Sequence, residues 1–373
     1  MAGTPSPDDQ PPSASTASGV TRVCLDSFRS HATFMWTHGA PCHVFILGPN
    51  GSGKTNILEA LSLLSPGRGL RQAQAKDLPR QGGGNTWRAA ITLGAPSGDT
   101  HITMGSDSGG RRTISINGAP LNRQLDLQDY CHVLWMTPSI DLLFGEAMGA
   151  RRRFLDRLLM TYDKTYAPLL LTYERTLKQW RHLLDTSDPH PHWAEGLEGI
   201  LADHGAKVCA KRLAFVDQIN ATHTHHHPGL PFDIQLKGTS ELLLQDDAAH
   251  ASTHFRAHFE KARHTYKRFK PLTFGPQATN IHITAYNQPI EQGSTGQQKK
   301  AIFALIFSAC HLQLARFRDT PCLLLLDDLA AHLDPSALQE LLALLTYPNL
   351  QTWITGTRPL PHTHGETIML QAP

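Results

Sequence analysis

Long apolar runs are missing from this chain of 373 residues. No stretch approaches the roughly 20 consecutive apolar residues that span a bilayer, which excludes a transmembrane helix and leads us to expect a soluble, cytoplasmic protein. An excess of one charge is missing too, with 34 Lys and Arg against 32 Asp and Glu. A site for a polyanion must therefore come from local clusters. The six cysteines, at 24, 42, 131, 209, 310 and 322, form no CxxC pair. Their wide spacing excludes a compact disulfide framework and points to a reducing compartment. No zinc-finger, RNP or helix-turn-helix spacing occurs, so base-specific readout of nucleic acid has no support. The 22 histidines add pH-dependent charge without a motif. The opening MAGTPSPDDQPPSASTASG has neither the basic nor the apolar region of a signal peptide, and residues 1–19 are expected to be a disordered tail.

What is present changes texture along the chain. From Val20 to about Met136, short alternating segments such as VCLDSF, HVFILG, WRAAITLG, THITMGS and RRTISINGAP read as strands, the last turning at Asn117-Gly118. One helix interrupts them, from Thr55 to about Leu64. From about Glu146 to Lys270 helical periodicity takes over, with Leu197, Leu201, Val208, Phe215 and Ile219 on one face of a long segment. Turn formers at 187–192 and in HTHHHPGLP at 223–231 mark joints. Strand texture returns at LTFG and IHITAY, followed by a helix over 297–314 and the strands CLLLL and QTWIT. The expected division is a split head over 20–139 and 271–373, interrupted by a mostly helical lobe over 140–270. No internal repeat and no sustained heptads occur.

GPNGSGKT at 48–55 carries P-loop spacing between a strand and an apolar-striped helix, the context its mechanism needs. Gly48, Pro49, Asn50, Gly51, Ser52 and Gly53 form a curl whose N–H groups face phosphate at a helix N-terminus, with Asn56 just beyond. Lys54 is expected to bridge the β- and γ-phosphates of ATP, and Thr55 to ligate Mg²⁺. A chance glycine-rich turn lacks such flanks.

A second anchor comes late. The apolar strand CLLLL delivers Asp327 and Asp328. Asp327 fits the Mg²⁺-linked carboxylate, and Asp328 the residue that orients or deprotonates the attacking water. Alone, such a turn is only a solvated strand end. Their distance from Thr55 is too great for a compact kinase or GTPase. The third anchor is STGQQ, opening a helix with Ile302, Leu305, Ala309 and Leu312 on one face. P-loop, signature turn and acidic strand follow one another in the order of ABC-type ATPases, giving an expected α/β fold with a mixed sheet around the P-loop helix. In such proteins the signature turn covers ATP bound by a second subunit, here through Ser294, Gly296 and Gln297. Ser294 also suits an ordinary N-cap, and one geometry serves both roles.

These blocks together resemble the RecF family of bacterial recombinational-repair ATPases, relatives of the heads of structural-maintenance-of-chromosomes proteins. LDSFRS at 25–30 resembles the family's opening strand, whose arginine, here Arg29, approaches the nucleotide. TPSIDLLFGEAMGARRRFLDRLL at 137–159 is the most diagnostic stretch, and LLLLDDLAAHLD resembles the acidic strand and a D-loop ending at Asp334. The resemblance spans nearly the whole chain after residue 20. It implies a weak, DNA-stimulated ATPase that dimerises on ATP, binds duplex or gapped DNA, and assists recombinase loading with RecR and RecO.

The chain departs from the family at GPQATN, 275–280, which lacks the usual His, Arg and two carboxylates; at Thr295, which replaces a Gln; and in lacking a clear Q-loop glutamine near 128–139 and a switch histidine, where Thr355 or Thr357 stands. Basic clusters available to DNA phosphates are Arg111-Arg112 and KARHTYKRFK, with Lys261, Arg263, Lys267, Arg268 and Lys270. Each alone reads as a solvated face, and Arg151–Arg153 suits a salt-bridge network as well as DNA. The histidines of HTHHH are expected in a flexible loop, not at a metal. Rival readings are a transporter's nucleotide-binding subunit, which predicts closer anchors and a membrane partner; a small-molecule phosphotransferase, which leaves STGQQ without a role; and a non-hydrolysing DNA clamp.

Overall fold

The computed structural model describes residues 18–138, 148–185, 191–226, 232–265, 272–328, 342, 345–347, 349–358 and 365–371. It divides into two compact units, Met1–Thr137 with Phe317–Pro373, and Pro138–Arg316.

The first unit holds two sheets. The antiparallel one is built from β1 (Gly19–Phe28), β2 (His31–Thr37), β4 (Arg88–Gly94), β5 (Thr100–Ser106), β6 (Arg112–Ile116) and β7 (Ala119–Pro120), in the order β2-β1-β4-β5-β6-β7. β6 and β7 meet across Asn117-Gly118, both with positive φ, as the two-residue hairpin turn requires. The second sheet is parallel, in the order β14-β3-β13-β12-β8, from β3 (His43–Leu47), β8 (His132–Met136), β12 (Cys322–Leu326), β13 (Leu350–Gly356) and β14 (Glu366–Met369). Every residue of β3, β8, β12 and β13 is buried, which explains why HVFIL, HVLWM and CLLLL read as near-continuous apolar runs rather than alternating ones. Helix α1 (Lys54–Ser62) leaves β3 through the glycine-rich loop, and Ile57, Leu58 and Leu61 join strand residues of both sheets in one core. Trp36 meets Trp353 edge-on at 4.9 Å within it.

The second unit is mostly helical: α2 (Met148–Tyr162), α3 (Tyr166–Asp185), α4 (Pro191–His226), α5 (Thr239–Asp246), α6 (Ala251–Thr265) and α7 (Thr295–Arg316), with a small sheet of β9 (Phe232–Lys237), β10 (Asn280–Ala285) and β11 (Gln288–Pro289). α4 is one helix of 36 residues, about 54 Å long. Leu197, Leu201, Val208, Phe215 and Ile219 are all buried, as their spacing predicts. Three expectations need correction. The helix carries on through His226, and His223 packs on the Phe232 ring at 3.9 Å, so the start of HTHHH is helical rather than a loop. Residues 272–275, expected as a strand, are irregular. Helix α7 is buried all round from Ala301 to Cys310, not along one face, because its apolar residues run consecutively.

A buried polar cluster ties the helices to the 275–280 loop. Both Asp156 oxygens accept from Arg212 at 2.8 Å, and Tyr166 donates to Asp156 at 2.5 Å. Arg212 also donates to the Pro276 carbonyl at 2.7 Å, and Thr279 donates to Glu241 at 2.6 Å. Burial disfavours the Arg212 cation, but the Asp156 carboxylate outweighs it and leaves the guanidinium more basic than usual. Removing one partner strands the other charge. Asp156→Ala is expected to cost about 3–5 kcal/mol in chemical denaturation. Asp203→Ala, which breaks only surface pairs to Lys207 and His204, is expected to cost under about 1 kcal/mol.

Candidate nucleotide site

The parallel register builds the site. β13 lies between β3 and β12, so the ends of three strands stand side by side: Leu47 before the loop, Gly356, and Leu326 before the two aspartates. Ligands of open parallel sheets bind at such carboxyl ends. Thr55 and Asp327, 272 positions apart, are joined here by a hydrogen bond from the Thr55 hydroxyl to Asp327 Oδ1 at 2.9 Å.

Gly51 and Gly53 adopt φ of 82° and 92°, so the loop needs glycine at both. A Cβ on Gly53 would also lie 2.6 Å from the His31 ring and 2.7 Å from the Ser30 hydroxyl, the turn after β1. Ser52 Oγ is buried with no partner among the described residues. Lys54 donates to the carbonyls of Gly48 at 2.7 Å and Pro49 at 2.8 Å, which uses two of its three N–H bonds. An unpartnered hydroxyl, a spare ammonium hydrogen and a helix N-terminus fit a polyphosphate. Thr55 and Asp327 fit the hard, oxygen-seeking Mg²⁺ that accompanies it.

Thr355, at the end of β13, is fully buried. It donates to Asp327 Oδ1 at 2.7 Å and accepts the Asp328 N–H at 2.7 Å. Thr357 is exposed, so of the two threonines at the expected switch position only Thr355 reaches the aspartates. Asp328 itself sits at φ 50°.

Arg29 is pinned rather than open. Its guanidinium makes two bonds to the Glu59 carboxylate, at 2.8 and 2.5 Å, and a third to the Asp77 carbonyl at 2.5 Å. Glu59 is fully buried on α1, and Arg71 approaches it at 3.5 Å. Asn56 is likewise engaged at both ends, donating to Ser30 at 2.7 Å and accepting from Arg71 at 2.8 Å. Sequence reasoning missed Glu59 and Arg71. The signal available was a lone carboxylate on the apolar face of NILEALSLL, one turn beyond Thr55.

In the second unit, Ser294 and Gln297 form a reciprocal cap: the Ser294 N–H donates to Gln297 Oε1 at 2.9 Å and the Gln297 N–H to Ser294 Oγ at 3.3 Å. Ser294, Thr295 and Gly296 are exposed, and the space around Gly296 is open. Arg151 pairs with Glu291 at 2.5 Å, and Arg152 donates to the Thr279 carbonyl at 2.8 Å, so these two arginines serve the unit's own packing.

The basic residues considered for DNA divide. Arg111 and Lys261 are exposed. Arg112 turns inward onto the carbonyls of Leu63 and Gly67, and burial holds its pKa down to about 10. Arg263 pairs with Glu198 at 3.1 Å. Lys267, Arg268, Lys270 and Asp334 lie outside the described residues.

A buried parallel sheet that ends in a P-loop and an aspartate pair, flanked by an antiparallel sheet and accompanied by a helical unit, defines an ABC-type ATPase head of the SMC kind. The family model described as RecF/RecN/SMC N terminal domain matches residues 19–365. The DNA replication and repair protein RecF of Mesorhizobium japonicum is 33% identical over 348 residues, 91% of this chain and 91% of that protein. RecF of Brucella suis biovar 1 is 33% identical over 348 residues, 91% of this chain and 90% of its own. The chain belongs to the RecF family. Among solved structures, the recombination mediator protein RecF-ATPrS matches with a TM-score of 0.84 at 20% identity, over 96% of this chain and 99% of that one. RecF-ATP matches at 0.82 and 21% identity, over 97% and 98%. These two show that the fold is shared.

Glu59→Gln keeps the shape of the carboxylate but leaves Arg29 and Arg71 facing each other without a counter-charge. The expected loss is about 2–3 kcal/mol in thermal or urea unfolding, below the range for fully buried pairs because Arg29 is a fifth exposed.

Proposed function

We propose that this protein is an ATP-dependent DNA-binding protein of replication and recombinational repair, a weak ATPase that acts in the cytoplasm. The observation that carries the reading is the hydrogen bond between Thr55 and Asp327, which joins the P-loop after β3 to the acidic end of β12 across the end of the intervening strand β13. RecF family membership supports the same assignment. The proposed head is split over 20–139 and 271–373, with 140–270 as the inserted lobe.

In this reading the N–H groups of Gly51, Gly53, Lys54 and Thr55 and the Lys54 ammonium hold the triphosphate, while Thr55 and Asp327 would hold Mg²⁺. Held there, Mg²⁺ would supply counter-charge to the polyphosphate. Asp328 orients the attacking water. Arg29, fixed by Glu59, lends positive charge beside the loop. Ser294, Gly296 and Gln297 present a capped, exposed helix start to the ATP of a second copy, and Asp334 belongs to the facing D-loop. Binding of ATP therefore closes a homodimer. DNA contact runs through Arg111, Lys261, Lys267, Arg268 and Lys270 to phosphates, without base readout and with strong salt dependence. Arg112 and Arg263 support that surface from within. Slow hydrolysis, stimulated by DNA, releases the clamp at duplex or gapped DNA, where it assists recombinase loading with RecR and RecO.

Sedimentation tests this. ATP, but not ADP, is expected to dimerise the wild type, and duplex DNA to raise its turnover. Lys54→Met is expected to lose ATP binding, whereas Ser294→Arg is expected to bind ATP normally and remain monomeric. A wild type that stays monomeric in ATP, with turnover unaffected by DNA, would refute the clamp.

A further inference from the structure

We infer that Thr355 is a positioning residue for the proposed Mg²⁺–ATP chemistry, acting through Asp327 and Asp328 rather than by touching the nucleotide. The inference rests on the nucleotide reading above and extends it to a residue outside the three anchor motifs.

A threonine hydroxyl has one hydrogen to give. Here it goes to Asp327 Oδ1 at 2.7 Å, while the oxygen accepts the Asp328 N–H at 2.7 Å. One buried group thus addresses a carboxylate and the next residue's backbone together. Its own position is set by β13, which pairs with β12 on one side and β3 on the other, so it has little freedom to follow a displaced aspartate.

Two consequences follow from this geometry. Thr55 donates to the same Asp327 oxygen at 2.9 Å. With both donors on Oδ1, Oδ2 is left without a hydrogen bond among the described residues, and the carboxylate is held in one rotation with one oxygen available to a cation. Meanwhile Asp328, two residues after the end of β12, takes a φ of 50°, which non-glycine residues seldom adopt. Its N–H would otherwise lack a partner at that break, and the Thr355 oxygen supplies one. Partners of a metal ligand typically change metal affinity or activity 10- to 100-fold when removed.

Valine is isosteric with threonine and removes only the hydroxyl, while serine keeps the hydroxyl and removes a methyl group. The test uses the full chain and a fluorescent ATP analogue, titrated first in EDTA and then with Mg²⁺. Thr355→Val is expected to bind the analogue in EDTA within about two-fold of wild type, because the loop and Lys54 are untouched. Its half-saturating Mg²⁺ concentration is expected to rise about ten-fold or more, with a similar weakening of Mn²⁺ binding to the nucleotide complex, and kcat to fall in proportion. Thr355→Ser is expected to restore all three. If Thr355→Val loses binding even in EDTA through misfolding, Thr355→Ala, which removes the same hydroxyl without adding a branched group, is read by the same titration.

Unchanged Mg²⁺ dependence in a hydroxyl-free variant that binds the analogue would overturn the assignment and leave the nucleotide reading intact. Failure of the serine variant to recover would overturn it as well, since packing would then matter rather than the hydroxyl. A wild type that bound no analogue at all would overturn both.

Discussion

The adjacency of three parallel strand ends is the constraint on which the rest depends. β3, β13 and β12 are hydrogen-bonded neighbours in register, so a loop, a threonine and an aspartate pair meet although they come from opposite parts of the chain. Because these strands are buried on both faces, the sheet has no freedom to slip by a residue without driving loop residues into the core. The site inherits its precision from that register. Its polar groups are then held by one another: Lys54 by loop carbonyls, Asp327 by two hydroxyls, Arg29 by Glu59.

A second device recurs in both units: a buried carboxylate gripping an arginine with both oxygens. Glu59 holds Arg29 beside the P-loop, and Asp156 holds Arg212 beneath the 275–280 loop. Bidentate pairs of this kind fix orientation more firmly than single charges do. Other arginines that look like surface cations in the sequence are likewise engaged. Arg112, Arg151, Arg152 and Arg263 all have intramolecular partners, so counting basic residues overstates the charge available to an external polyanion.

Much of the architecture was legible because its signals are local. GPNGSGKT lies between HVFIL and an apolar stripe, and the structure puts a buried strand and helix α1 there. Asn117-Gly118 announced its hairpin. The strands CLLLL and QTWIT became β12 and β13, and the spacing of Leu197, Leu201 and Val208 became the buried face of α4. What escaped were residues whose significance is purely tertiary. Glu59 looks like one more charge in a helix until Arg29 and Arg71 are seen around it. Thr355 stood out only as an absent histidine, since nothing local says that a strand-end threonine faces two aspartates. The course of α4 through His223–His226 was obscured by a run of histidines that imitates a loop, and the tilted packing of His223 on Phe232 shows why it is not one.

The placement of β3 has a consequence for the order in which the protein takes shape. Its neighbours in the sheet are β13 and β14, which begin at Leu350 and Glu366. During synthesis the strand feeding the P-loop is among the earliest elements made, yet both of its hydrogen-bonding partners emerge from the ribosome some three hundred residues later. Until then the four consecutive apolar residues Val44–Leu47, which with His43 make up β3, have no sheet to join. The nascent chain therefore carries an open strand edge through most of its own translation, and that interval, rather than the finished fold, is where this protein is most exposed to misassociation.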